Sequence, residues 1–400
     1  MKILFLAPRM PLPADTGGKI RTFNILKQLA AESSLHLVCY SFEADDKNYL
    51  GELHALGIKV TLVPMAETTA FQKITWLLFH GLPISLVKYH TKAMKETISQ
   101  LIEKETFDAV HVDHLHMAHY LDCFDHLPSM LDEHNVEYKI LQRCAAVEKS
   151  FPKRLAYKAQ SKKMNQFEAD MAQKFSCVFA CSTDDRLLLN KITNGLVPIY
   201  VVPNGVDTDY FQPNPNEEME DALVFTGSMD WLPNDDAITY FCKEILPLIW
   251  QKNAKIKLYV VGKSPSVAVK ELAARDNRVI VTGRVDDVRP YIAKSKVFVV
   301  PLRVGGGTRL KILEAMAMGK AIVSTTIGAE GITYAMDENI VLADTPDEFA
   351  EKTVNAISDN NKIKGLGKSG RSLVLESYDW RVVGRQLRHF YKKAIDDKNK

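Results

Sequence analysis

Short apolar, β-branched runs recur along the chain, and longer stretches with helical spacing of their apolar positions separate them. In the first half the runs are Lys2 to Ala7 (KILFLA), Leu35 to Phe42, Lys59 to Val63, Asp108 to Val112, Ser129 to His134 and Cys177 to Ser182. Near-continuous apolar runs of this length suit strands buried on both faces, and their alternation with helices predicts a parallel, doubly wound sheet. From Pro203 to Asp221 (PNGVDTDYFQPNPNEEMED) the periodicity stops and Pro, Asn, Asp and Glu accumulate, the composition of turns and linkers. The pattern then restarts with ALVFTGS, KIKLYVVG, RVIVTGR, KVFVVPL and AIVSTT. The expectation is an α/β protein of two Rossmann-like, doubly wound parallel-sheet domains, residues 1–198 and 199–379. A last helix, 380–400, carries Val383, Leu387, Phe390 and Tyr391 on one face and is expected to pack back on the first domain.

Composition narrows the function classes. A chain of 400 residues suits two domains of about 200 each. Its 51 Lys and Arg are balanced by 49 Asp and Glu, which excludes the concentrated positive field a nucleic-acid binder needs. The six cysteines are scattered, and the one close pair, in CVFAC, sits in an apolar run, so neither a zinc site nor a disulfide framework is indicated. The amino-terminal apolar run ends at Pro8 and Arg9, too short for a signal-peptide core, and the apolar Ile74–Val87 stretch is interrupted by Gly81 and Pro83. A cytoplasmic protein is expected.

The chemistry concentrates in Val304 to Ile332, VGGGTRLKILEAMAMGKAIVSTTIGAEGI. Gly305, Gly306 and Gly307 follow the predicted strand KVFVVPL, where bare backbone lets N–H groups approach a ligand. Thr308 is the expected N-cap of the helix that begins there, whose aligned peptide dipoles offer about half a positive charge. Arg309 and Lys311 would oppose that dipole, so they are expected to serve an anion, for which a diphosphate is the natural partner. Glu314 can accept hydrogen bonds from ribose hydroxyls. The bland alternative is a strand-to-helix turn with solvated charges, since neither GxGxxG nor GxxxxGKS/T is present.

This string, with PNGVD at Pro203 to Asp207 and TGSMDWLPN at Thr226 to Asn234, resembles the retaining glycosyltransferases of family 4 over nearly the whole chain. The resemblance implies a GT-B fold, its two domains facing each other across a cleft, and transfer of a sugar from a nucleotide diphosphate sugar to a saccharide or lipid-linked acceptor. It implies no cofactor and no metal. Glu314 matches the second acid of the family's Glu-x7-Glu motif, whereas its first acid falls at Gly306. Ser228 and the following residues lack the Arg and Lys that hold the diphosphate in many relatives, and Arg309 and Lys311 are expected to replace them. Gly227 and Arg284, after ALVFT and within RVIVTGR, complete the expected donor side.

In the first domain the resemblance places the glycine loop at Gly17 and Gly18, with Arg21 behind it, under the donor diphosphate. It makes Asp113 and His114, with His134 at the next strand end beside Glu133, the candidates for orienting the reacting hydroxyl. His116 and His119 crowd the same region without the spacing of a known metal site. The Asp207-Thr208-Asp209 triplet reads as turn chemistry. A basic helical run from Lys149 to Lys174, with Phe151, Tyr157 and Phe167 and the apolar Phe71–Val87 stretch in the same domain, fits either a solvated face or contact with an anionic membrane on its cytoplasmic side. Two other functions stay open: a catalytically silent nucleotide-binding partner of another transferase, and a sugar-nucleotide epimerase or hydrolase.

Overall fold

The computed structural model describes residues 1–65, 69, 75–76, 81–305 and 307–398. Gly306 and most of the apolar segment from Phe71 to His80 lie outside the described residues. The chain divides into two compact units, Met1–Pro203 with Val383–Lys400, and Asn204–Val382.

The first unit is a seven-stranded parallel sheet: β1 (Lys2–Ala7), β2 (Ser34–Ser41), β3 (Ile58–Pro64), β4 (Ala109–Asp113), β5 (Ser129–Glu133), β6 (Cys177–Ala180) and β7 (Ile199–Val201), in the order β3-β2-β1-β4-β5-β6-β7. β4, β5 and β6 are buried along their whole length, as strands covered by helices on both faces must be. Strand order reverses between β1 and β4, so the loops after these two strands diverge and leave a crevice at their carboxyl ends. β7 pairs with β6 and carries this sheet past residue 198; its three residues are too few for a periodicity. The helix Trp380–Lys398 belongs to this unit from Val383 onward, where it buries Leu387 and Tyr391 completely and Arg388 donates to the Gln28 carbonyl at 2.9 Å.

The second unit is a six-stranded parallel sheet: β8 (Glu220–Thr226), β9 (Lys257–Val261), β10 (Val279–Gly283), β11 (Ser295–Val300), β12 (Ala321–Ser324) and β13 (Val341–Leu342), in the order β10-β9-β8-β11-β12-β13. Its reversal lies between β8 and β11, the strands that precede TGSMDWLPN and the triple-glycine loop. Asp207 forms a turn, its Oδ1 accepting the backbone N–H groups of Asp209 at 3.1 Å and Tyr210 at 2.9 Å. Among the described residues no helix is long and apolar enough to cross a membrane.

Candidate functional site

In the first unit β4 ends on Asp113 and β5 carries Asp132 directly opposite it, and both carboxylates are fully buried. Two adjacent buried anions are tolerable only with counter-charge and hydrogen bonds. Arg21, one turn into the helix Gly17–Ala30 and 1% exposed, grips Asp132 with two bonds, Nε to Oδ2 at 3.0 Å and Nη2 to Oδ1 at 2.6 Å. Thr22 donates to Asp113 Oδ2 at 2.9 Å. His134 places Nε2 2.7 Å from Asp113 Oδ1 and 3.5 Å from Asp132 Oδ2.

The electrostatics follow from that packing. Burial alone would lower the His134 pKa, but the Asp113 and Asp132 carboxylates overcome it and push it up to about 9, so the ring is an imidazolium at neutral pH. Burial works against ionisation of both carboxylates, yet Arg21 and His134 hold Asp132, and His134 chiefly holds Asp113, below the usual carboxylate range. Cation and anion charges balance within the cluster.

His114 follows β4 with φ 75° and lies against His134, ring centroids 3.6 Å apart. Burial, then the neighbouring His134 cation, pushes its pKa well down, so His114 is a neutral imidazole with 22% of its side chain exposed. A neutral ring beside a charged one can exchange hydrogen bonds with a hydroxyl without a change in net charge. Gly18 touches both rings: a Cβ there would lie 3.7 Å from His114 Nε2 and from His134 Nδ1. Behind the cluster, the His111 ring, held neutral by burial with a pKa near 4, shares a 2.5 Å hydrogen bond between Nδ1 and the Tyr391 hydroxyl.

The structure thus brings Gly18, Asp113, His114 and His134 together, and it corrects two expectations. Arg21 faces inward onto Asp132 rather than toward a ligand, because two buried carboxylates need its charge. Glu133 does not join His134: strand alternation turns it to the other face, among Glu168, Glu137 and Asp185, where burial raises its pKa well above normal. Thr22, Asp132, His111 and Tyr391 were not singled out from sequence as members of the site. The period-two rule pairs Asp132 with His134 and could have found it. Nothing local connects Tyr391 with a residue 280 positions earlier.

In the second unit Lys311 lies in the first turn of the helix Leu310–Ala317. Its ammonium is 2.9 Å from Asn234 Oδ1 and 4.0 Å from the centre of the Phe225 ring, while Asn234 Nδ2 donates to the Ser228 carbonyl at 2.8 Å. A side chain at Gly227 would collide with this arrangement, its Cβ falling 2.7 Å from Lys311 Nζ and 2.8 Å from Asn234 Nδ2. Gly305 is bare for the same kind of reason: a Cβ would lie 2.7 Å from Arg309 Nη2. Arg309 folds over the loop, Nη1 donating to the Gly307 carbonyl at 2.8 Å.

Desolvation, with Arg309 nearby, lowers the Lys311 pKa to about 7 against the pull of Glu314. Desolvation raises Glu314 to about 7, with Lys311 opposing. A half-buried lysine and a half-buried glutamate on one helix face are therefore each poised to change charge when a ligand supplies the missing counter-charge or hydrogen bonds.

Thr308 is not the N-cap expected from the sequence. The helix starts at Leu310, Arg309 occupies the cap position without a side-chain capping bond, and the Thr308 hydroxyl donates instead to the Gly331 carbonyl at 3.4 Å. Arg284 is exposed after the edge strand β10, with β9 between that strand and β8, so the sheet order sets it apart from the Lys311 group. Asn234 and Phe225, which set the position of the lysine, were not singled out from sequence.

Comparison with known proteins agrees with these two sheets. A profile described as Glycosyl transferases group 1 matches residues 220–359, and one described as Glycosyltransferase Family 4 matches residues 47–210. An uncharacterized 44.6 kDa protein of the cps region of Klebsiella pneumoniae is 24% identical over 96% of this chain and 97% of its own. The MMP alpha-(1->4)-mannosyltransferase of Mycolicibacterium hassiacum is 26% identical over 49% of each chain. A GDP-mannose-dependent alpha-(1-6)-phosphatidylinositol monomannoside mannosyltransferase of Mycobacterium tuberculosis is 24% identical over 48% of this chain and 55% of its own. The matches to these two named mannosyltransferases thus span about half of each chain. Among solved structures, Anabaena HepE in complex with UDP and glucose superposes with a TM-score of 0.68 at 16% identity, over 98% of this chain and 100% of that one. A glycosyltransferase of Rickettsia africae gives 0.68 at 17% identity over 98% of both. The sheets, the glycine loop and these likenesses converge: the chain belongs to the group 1, family 4 glycosyltransferases and has the GT-B fold.

Proposed function

We propose that this glycosyltransferase moves a sugar from a nucleoside diphosphate sugar to a saccharide or lipid-linked acceptor with retention of anomeric configuration and without a metal. The observation that carries the reading is Lys311: an ammonium half-withdrawn from water, its pKa depressed, at the start of a helix and beside a loop of bare backbone. A diphosphate there gains a full positive charge, the amino end of the helix dipole and the Arg309 guanidinium, and these stabilise the charge that develops on the departing group. Glu314, one turn on, accepts hydrogen bonds from ribose hydroxyls, which favours its charged form.

In the first unit His114 is the group positioned to meet a sugar hydroxyl, with the bare backbone of Gly18 beside its ring. Asp113 is engaged by Thr22 and His134, so it acts by fixing the imidazoles rather than as a free base. The ligand atoms of Asp113, His114 and His134, and those of His111, Asp113 and Asp132, lie close enough to hold an ion. Arg21 and His134 already supply the counter-charge that an ion would bring, which favours metal-independent chemistry. Relatives named as mannosyltransferases favour a mannosyl donor, while a structural neighbour holding UDP favours uridine; the nucleotide is decided by titration.

The test is transfer from UDP-, GDP-, dTDP- and CDP-sugars to saccharide and lipid-linked acceptors in the presence of a chelator, with the product's anomeric configuration read by NMR. Transfer with retained configuration and undiminished by the chelator supports the reading. An inverted product, or activity restored only by a divalent cation, contradicts it. Release of sugar without any acceptor would favour a hydrolase.

A further inference from the structure

Beyond the transfer site, the first unit carries a second feature that its chemistry does not use. The helices Glu137–Val147 and Phe151–Ala172 form a hairpin, tied where the buried Ser161 hydroxyl donates to the Tyr138 carbonyl at 2.9 Å. The longer helix is anchored from Gln160 onward: Gln160 Oε1 accepts the Ile84 backbone N–H at 2.9 Å, and Ser161, Met164, Phe167, Met171 and Ala172 are buried. Its first six residues, Phe151 to Ala156, are all exposed.

Between the helices lies a groove of about 710 Å³ whose charged lining is Arg154, Lys158 and Lys162, with no carboxylate among its lining residues. These three recur every four residues, so they form one stripe along the helix. Phe151 and Leu155 lie on the same face and are 65% and 59% exposed; the Arg154 guanidinium sits 5.5 Å from the centre of the Phe151 ring. From Lys149 to Phe167 the sequence holds six cations (Lys149, Lys153, Arg154, Lys158, Lys162, Lys163) and no acid. Among the described residues no carboxylate forms an ion pair with any of them.

A solvated helix face ordinarily intersperses acids with its bases, and a buried face does not carry six cations. Exposed aromatic and aliphatic side chains in line with unpaired cations match an anionic bilayer surface: phosphates neutralise the stripe while the apolar tips enter the interface. We propose that the Phe151–Lys162 face docks this protein on a membrane, the Arg154, Lys158 and Lys162 groove taking the phosphate of an anionic lipid head group. This proposal does not depend on the transferase mechanism.

The experiment is co-sedimentation of the full chain with phosphatidylcholine vesicles with and without phosphatidylglycerol. Binding should be at least about tenfold tighter to the anionic vesicles and should fall steeply with salt. The pair R154E and K158E should lower it about tenfold or more, and the pair F151S and L155S should lower it separately, with circular dichroism and nucleotide binding unchanged. Equal binding to both vesicles, or binding indifferent to both pairs, overturns the proposal. Tight binding of inorganic phosphate at constant ionic strength by a chain that binds neither vesicle also overturns it, and reassigns the groove to a soluble phosphate.

Discussion

The ammonium of Lys311 and the Cα of Gly227 are neighbours: a Cβ on that glycine would lie 2.7 Å from the lysine nitrogen, which rests 2.9 Å from Asn234 Oδ1. The backbone there has φ 153°, a conformation that side chains rarely adopt. Gly227→Ala should therefore push Lys311 off Asn234 and weaken nucleotide binding about tenfold, some 1.4 kcal/mol, beyond any backbone strain. Calorimetric titration beside a melting curve checks it; an alanine variant that binds as tightly as the parent would show that the close approach is incidental.

The depressed Lys311 and elevated Glu314 make nucleotide binding a protonic event. At pH 8 Lys311, with a pKa near 7, is mostly neutral in the free protein and must take up a proton to meet a diphosphate, while Glu314 is already ionised. At pH 6 Lys311 is mostly charged and Glu314 mostly protonated, so a glutamate that binds ribose as a carboxylate releases a proton. Net exchange should go from uptake of about half a proton or more at pH 8 to release at pH 6. Titrations in buffers of differing ionisation enthalpy measure this, and K311M should abolish the uptake at pH 8.

His134 is linked to stability at alkaline pH. Its folded pKa of about 9 lies above the ordinary value of 6.5, so its contribution is fully present below pH 6.5 and is lost as pH rises through 9. The raised affinity corresponds to roughly 3 kcal/mol at most. The stability difference between the parent and H134Q should shrink by an amount of that order between pH 6 and pH 10, measured by denaturant unfolding of both at each pH. Taking the difference cancels the thiols and other groups the two proteins share. A constant difference would mean that the imidazole is neutral in the fold.

Arg21 should behave as a structural counter-ion. Arg21→Met leaves Asp132 buried and uncompensated and should destabilise the first unit by about 3–5 kcal/mol, whereas the double change with Asp132→Asn should recover much of that loss. Thermal melting of the four proteins of the cycle gives the coupling. If Arg21→Met melts like the parent but loses nucleotide affinity, the arginine is a ligand contact after all.

How far the sequence discloses this protein depends on the range of the interaction concerned. The two parallel sheets are legible because strands covered on both faces must be almost wholly apolar, and β1, β6 and β12 are so. The glycine loop is legible because backbone exposure and helix polarity are local. The partners of Asp132 are not, since a carboxylate at a strand end looks alike whether it meets water, a metal or an arginine 111 positions away. The N-cap lies one residue beyond the expected Thr308, because Thr308 satisfies its hydroxyl on Gly331, across the loop, rather than on its own helix. Tyr391 is legible as one apolar helix face and illegible as the partner of His111.

The claim on which the account rests is that the Gly227, Arg309 and Lys311 arrangement is a diphosphate cradle. Its most direct test is calorimetric titration of the parent, R309A and K311A with UDP, GDP, dTDP and CDP in the presence of a chelator. The account predicts that one nucleotide binds with a Kd on the order of micromolar and that each substitution, while leaving the melting temperature intact, weakens it about tenfold or more. Binding that ignores both substitutions, or no binding of any of the four nucleotides, would contradict it and leave the glycine loop as a turn.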